Sequence, residues 1–139
     1  MTQPKAEPKV AEQVAAQEFN RMCEANRIDT DESGLDEGER KEWREMRDPI
    51  VKDIMRGALV IDTEGRPVYT TDDRKVLTFA RATAATFMAL ETYGKGKDVS
   101  NMMAAVADLT GTGKGELSKL IARDFHGVTR IARLFLADR

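Results

Sequence analysis

Gly57-Ala58-Leu59-Val60-Ile61-Asp62-Thr63-Glu64-Gly65-Arg66-Pro67-Val68-Tyr69-Thr70-Thr71-Asp72-Asp73-Arg74-Lys75-Val76-Leu77-Thr78-Phe79 is the one stretch of this chain whose pattern is β rather than helical. Leu59-Val60-Ile61 and Val68-Tyr69-Thr70 are rich in branched and aromatic residues, which suit a pleated, half-buried backbone. Thr63-Glu64-Gly65-Arg66 between them reads as a turn, with Gly65 supplying a positive φ. Thr71-Asp72-Asp73 then turns the chain into a third strand, Val76 to Phe79. A lone hairpin is marginal in water, so the third strand and a helical cover are required. The expected fold is therefore α+β: mostly helical, with a small antiparallel three-stranded sheet (a hairpin plus one strand) between N-terminal helices and a C-terminal helical half.

Working back from the hairpin, Trp43, Met46, Ile50 and Ile54 recur at helical spacing, interrupted by Pro49. Proline suits the first position of a helix, and Asp48 before it is a good N-cap, so the pattern favours two short helices, about 38–47 and 49–56. A single kinked helix is the other arrangement it allows. Arg27 to Glu37 is acidic and turn-rich and reads as a loop, and Val10 to Asn26 carries one apolar stripe, Ala11, Ala15, Phe19, Met22 and Cys23. Residues 1–9, with Pro4 and Pro8 among polar neighbours, read as a disordered arm. Residues 10–57 are thus a helical segment and 58–138 an α+β segment packed with it as one domain. Forward of the sheet, helical patterns cover Thr83 to Tyr93, Asp98 to Leu109, Gly115 to Ile121 and Asp124 to Phe135. Thr83, Asp98 and Asp124 are placed to cap their helices, Gly94 to end one, and Gly127 costs about 1 kcal/mol inside the last.

A chain of 139 residues holds one domain with a modest core. Hydrophobic residues at 41% and charged residues at 33% mark an ordinary globular composition rather than a disordered one. The net charge of -2, with both signs interspersed, lacks the basic block of a nucleic-acid binder. No apolar run approaches the ~20 residues that span a bilayer, and the N-terminus has no signal-peptide core. One cysteine excludes an internal disulfide and fits a reducing cytoplasm.

Asp29-Thr30-Asp31-Glu32-Ser33-Gly34 has the opening of an EF-hand calcium loop, but its twelfth position, which needs a bidentate glutamate, is Arg40. Gly111-Thr112-Gly113-Lys114-Gly115 lacks both the spacing and the preceding strand of a phosphate-binding loop. With one histidine, His126, and one cysteine, Cys23, no four-ligand Cys/His zinc site is available; His126 reads as a surface residue and Cys23 as a small buried hydrophobe. Asp62, Asp72 and Asp73 form pairs only in the sense that any acid-rich chain does. No catalytic residue, metal or cofactor is expected.

Three features point instead to a protein partner. Met88, Met102 and Met103 fall in the C-terminal half, and methionine is over-used at adaptable surfaces. The last helix carries Ile131, Leu134 and Leu136 beside its main stripe of Phe125, Val128, Ala132 and Phe135, more than one face needs. Trp43 could also lie at an edge. The candidate partner-binding residues are Met88, Met102, Met103, Phe135 and Leu136, for another protein or a second copy of the chain.

The order and wording of residues 59–138 resemble the tail assembly chaperones of long-tailed bacteriophages. There a hairpin and a strand lead into a helix, followed by a Met-rich helix, a short helix and a final helix opening on Asp-Phe. Here the corresponding phrases are VLTF, ARATAATFMALE, NMMAAVADLTG, GELSKLIA, RDFHGV and RLFLAD. Ala82 stands where proline often precedes the threonine, and the helices up to Arg56 are additional to the compact family members. The resemblance implies a non-enzymatic phage or prophage protein made in the host bacterial cytoplasm. It would bind the tape-measure protein, with the tail-tube protein as a further partner, keep it soluble for tube polymerisation, and be absent from the mature virion. A small structural or scaffolding phage protein retained in the particle, or an adaptor or regulatory protein, is the alternative.

Overall fold

The computed structural model describes residues 9–139, so all but the last residue of the expected disordered arm lies outside it. The elements run α1 (Glu12–Ala25), α2 (Glu37–Met55), β1 (Leu59–Ile61), β2 (Pro67–Thr70), β3 (Val76–Thr78), α3 (Ala84–Ala89), α4 (Asp98–Thr110), α5 (Lys114–Leu117) and α6 (Ala122–Leu136). The three strands form one antiparallel sheet in the order β1-β2-β3, with Leu59 opposite Tyr69 and Tyr69 opposite Leu77. The fold is α+β and mostly helical.

The hairpin forms where the pattern places it. Gly65 has φ +81°, which L side chains rarely adopt. Asp62 accepts hydrogen bonds from the backbone N–H groups of Glu64 and Arg66, and its other oxygen pairs with the Arg66 guanidinium at 2.8 Å. The turn is clamped from behind by α1. Arg21 donates to the carbonyls of Ile61 and Asp62, and Asn26 to that of Gly65. A Cβ on Gly65 would clash with that of Ala25, so the glycine is needed for close approach as well as for its backbone angle.

Pro49 does not divide α2. The helix is continuous from Glu37 to Met55, and Asp48, expected as a cap, is an exposed member of its middle that pairs with Arg47. The N-terminus is fixed further back by a capping box, in which Asp36 accepts from the Glu39 N–H and Glu39 from the Asp36 N–H. A proline inside a helix costs about 3 kcal/mol. Ile50 and Ile54 are buried on the same helix and contribute roughly 1.5–3 kcal/mol each, enough to offset it.

The other departures are in the helical half. α3 is shorter than its pattern, ending at Ala89 and followed by turns to Gly94. α5 is a single turn from Lys114 to Leu117. α6 begins at Ala122 with Ile121 in the capping position, so Asp124 is not its cap but lies inside its first turn, only 2% exposed. α6 packs against both α2 and α4. That explains its apolar surplus, because Val128, Ile131, Ala132, Leu134 and Phe135 are all buried. One core joins residues of α1, α2, the sheet, α4, α5 and α6. Trp43 belongs to it rather than to an edge. It is 3% exposed, its ring lies 6.0 Å from that of Phe19, and the Arg139 guanidinium sits over it at 4.4 Å.

Gly127 has a packing reason. A Cβ there would lie 2.6–2.7 Å from the ring and hydroxyl of Tyr69, which is fully buried. Alanine in an ordinary helix would gain up to ~1 kcal/mol over glycine, but overpacking a rigid core costs typically 1–3 kcal/mol. Gly127→Ala is therefore expected to lower the unfolding free energy by about 1–2 kcal/mol in a urea titration. A stabilised variant would show that Tyr69 yields.

Candidate functional site

α3 is attached to α4 by polar groups. Thr86, fully buried, donates from its hydroxyl to Asp108 at 2.6 Å and accepts from the Thr83 N–H. Just beyond α3, the Asn101 side chain accepts from the Tyr93 N–H and donates to the Gly94 carbonyl. Because Thr86 occupies the inward face, the neighbouring Phe87 and Met88 point to solvent, 50% and 71% exposed. Four of the eight large apolar side chains exposed among the described residues fall between Phe87 and Val99. An exposed Phe-Met pair on a rigidly pinned turn is a surface that gains by being covered.

Beside it is a hollow of about 330 Å³, lined by Ile28, Ala82, Phe87, Phe135 and Ala137, with Arg27 and Arg81 adding positive charge. Arg81 is held in place by donating to the Ala25 carbonyl at 2.7 Å. Arg27 has φ +59° in the turn that follows α1.

The candidate residues separate into three groups. Met88 is the one that stands free. Met102, Met103 and Leu136 are half-buried, the two methionines packed against the core. Met103 lies over a narrow crevice with Val106, Leu117, Leu120, Phe125 and Val128, where it joins α4, α5 and α6. Phe135 is a core residue, 7% exposed and edge-on to Phe79 at 6.3 Å, and reaches the hollow only by its rim. Its ring packs in the core rather than standing on the surface, for the reason given for α6. By helical spacing alone Phe87 and Leu90 read as a core-facing stripe, whereas the buried residue is the polar Thr86.

The second concavity is a groove of about 1410 Å³ between α2 and α6. Arg40, Arg44, Asp48, Lys52 and Arg56, four apart, form one row along it, and Glu37, Lys41, Glu45, Pro49 and Asp53 the row beside. Arg123 and Arg130 of α6 face them. The groove sits on a buried polar chain. Asp53, 6% exposed, accepts from Arg56 at 2.9 Å. Arg56 donates to the Tyr69 hydroxyl at 2.9 Å, which donates to Asp124 at 3.0 Å. The other Asp124 oxygen accepts from the Asp72 N–H. Burial, and then the hydrogen bond to Asp124, push the Tyr69 hydroxyl up to about 12, so it stays a proton donor to Asp124 at neutral pH.

The remaining motifs have structural employment. In the Asp29–Gly34 loop, Asp29 and Asp31 accept from the N–H groups two residues on, and Arg139 donates to both their carbonyls. Arg40, at the calcium-loop glutamate position, donates to the Glu32 carbonyl. Gly111, φ +66°, ends α4, and the Lys114 ammonium lies 3.7 Å over the Tyr93 ring. Cys23 is fully buried, its thiol pushed up to about 12 by burial, and His126 is exposed. No cluster of metal-ligating side chains occurs among the described residues, and no helix there is long and apolar enough to cross a membrane.

Aspartate substitution separates surface from packing. Met88→Asp is expected to leave the unfolding free energy within ~0.5 kcal/mol of wild type, and Met103→Asp to lower it by about 1–3 kcal/mol by placing a carboxylate against the core crevice. Thermal denaturation followed by circular dichroism distinguishes them. Equal losses would contradict the placement. No protein-family model, curated protein or solved structure matches this chain.

Proposed function

We propose that this protein is a non-enzymatic chaperone of phage or prophage tail assembly, which binds the tape-measure protein and keeps it soluble until tail-tube subunits polymerise around it. The observation that carries the reading is α3: Thr86 turned inward, Phe87 and Met88 turned out, beside an apolar hollow. Such a surface suits the apolar face of a helix laid against it, with anchors at i, i+3 and i+4. Methionine and phenylalanine adapt to successive, non-identical stretches of a long helical partner better than a shaped polar pocket would. The hollow is small, so each copy covers a short length and a long partner takes many copies. The order of elements from the hairpin to α6 supports the choice of partner through its likeness to tail assembly chaperones. In this reading the protein acts in the host bacterial cytoplasm and is left out of the finished particle.

The test is a pull-down of tagged protein from cells producing the phage or prophage proteins, with captured chains identified by mass. Wild type is expected to retain a long helical tape-measure chain, and Phe87→Asp/Met88→Asp to lose it while keeping its circular dichroism spectrum. A folded double variant that captures the chain as well as wild type would overturn the site. Capture of capsid or tail-tube proteins alone, with the protein present in purified virions, would favour a structural role in the particle.

A further inference from the structure

We infer that the groove between α2 and α6 binds an acidic helical segment of a partner protein, at a surface separate from α3. The cations on its walls outnumber the carboxylates, seven to four, in a chain whose net charge is -2. Few of them are strongly engaged. Arg56 is held by Asp53 at 2.9 Å and Arg44 by Glu32 at 3.0 Å. Arg123 and Arg130 reach carboxylates only at 3.6 and 4.0 Å, and Lys52 and Arg40 have no carboxylate partner among the described residues. The Arg123–Asp72 pair is exposed and contributes little, Arg130 meets Asp53 only at the outer limit of an ion pair, and Arg40 donates only to the Glu32 carbonyl, so these cations are able to exchange partners.

The spacing selects a helix. Residues four apart rise about 6 Å along α2, and from Arg40 to Arg56 the row runs about 24 Å. A second helix alongside repeats its own i, i+4 positions at the same interval, so glutamates on one stripe meet Arg40, Arg44 and Lys52 in register. The lysine and arginine stems supply apolar wall beneath their charged ends. Glu37, Glu45 and Asp48 sit among the cations and would repel an unbroken polyanion, which disfavours a nucleic-acid strand. Asp53 lies buried under Arg56, so the floor is fixed before any partner arrives.

The experiment uses the full chain and three fluorescent probes. These are an alanine-based helical peptide of about 20 residues bearing glutamates at i, i+4 spacing, the same peptide with lysines, and a single-stranded oligonucleotide. Anisotropy is expected to show the acidic peptide bound most tightly, with affinity falling as salt is raised. Amide shifts should concentrate on α2 and α6. Lys52→Glu/Arg123→Glu is expected to weaken the acidic peptide about tenfold. Equal binding of both peptides, tighter binding of the oligonucleotide, shifts centred on α3, or unchanged affinity in a folded double variant would each overturn the inference. If the double variant does not fold, the contrast between the two peptides on wild type decides.

Discussion

The fold depends on one side chain being accepted from two directions. The Tyr69 ring lies against the bare Cα of Gly127, and its hydroxyl bridges Arg56 and Asp124. That single residue of β2 thereby meets the end of α2, the first turn of α6 and, through Asp124, the backbone of Asp72 in the turn between β2 and β3. A buried carboxylate is costly without partners. Asp124 has the tyrosine hydroxyl, a backbone N–H and the positive end of α6. The network is satisfied throughout, with no buried side-chain polar atom among the described residues lacking a partner. A satisfied polar chain of this kind fixes the register of sheet against helices in a way that apolar contacts alone do not.

One of the two surfaces follows from that arrangement, and the other stands apart from it. Drawing α6 against the sheet places it between α2 and α4, which buries Ile131, Leu134 and Phe135 and takes these apolar side chains of the last helix out of the surface. α3 lies outside the network and is secured separately, through Thr86 to Asp108, which leaves Phe87 and Met88 uncovered. The groove lies directly over the network, with Asp53 and Arg56 common to both. An apolar face and a charged one thus sit on a single rigid scaffold.

Much of this was legible in the residues. Leu59–Ile61, Gly65 and Val76–Phe79 announce the sheet because strand preference and turn chemistry are local, and the order of the helices follows from apolar spacing. What failed was non-local. Pro49 reads as a helix start until Ile50 and Ile54 are seen packed into the core. Asp124 reads as a cap until Tyr69 is brought to it across 55 positions of sequence. The surplus on α6 reads as a docking face unless the helix is recognised as having a neighbour on each side. Phe87 was hidden for the converse reason, since apolar spacing assigns it inward and only the Thr86–Asp108 bond turns it out. The four-residue rows on α2 were visible throughout, but interleaved acids conceal a positive groove from a count of charge.

The central claim is that Tyr69 and Asp124 act as one unit, and a double-mutant cycle measures that directly. Unfolding free energies of wild type, Tyr69→Phe, Asp124→Ala and the double variant, from urea titrations under one set of conditions, give the coupling. The network predicts that the two losses fall short of additive by roughly 1–2 kcal/mol, because either change alone already breaks the bond. Losses that add within about 0.3–0.5 kcal/mol would show the two residues to be independent, and the tyrosine then holds the fold by its ring alone.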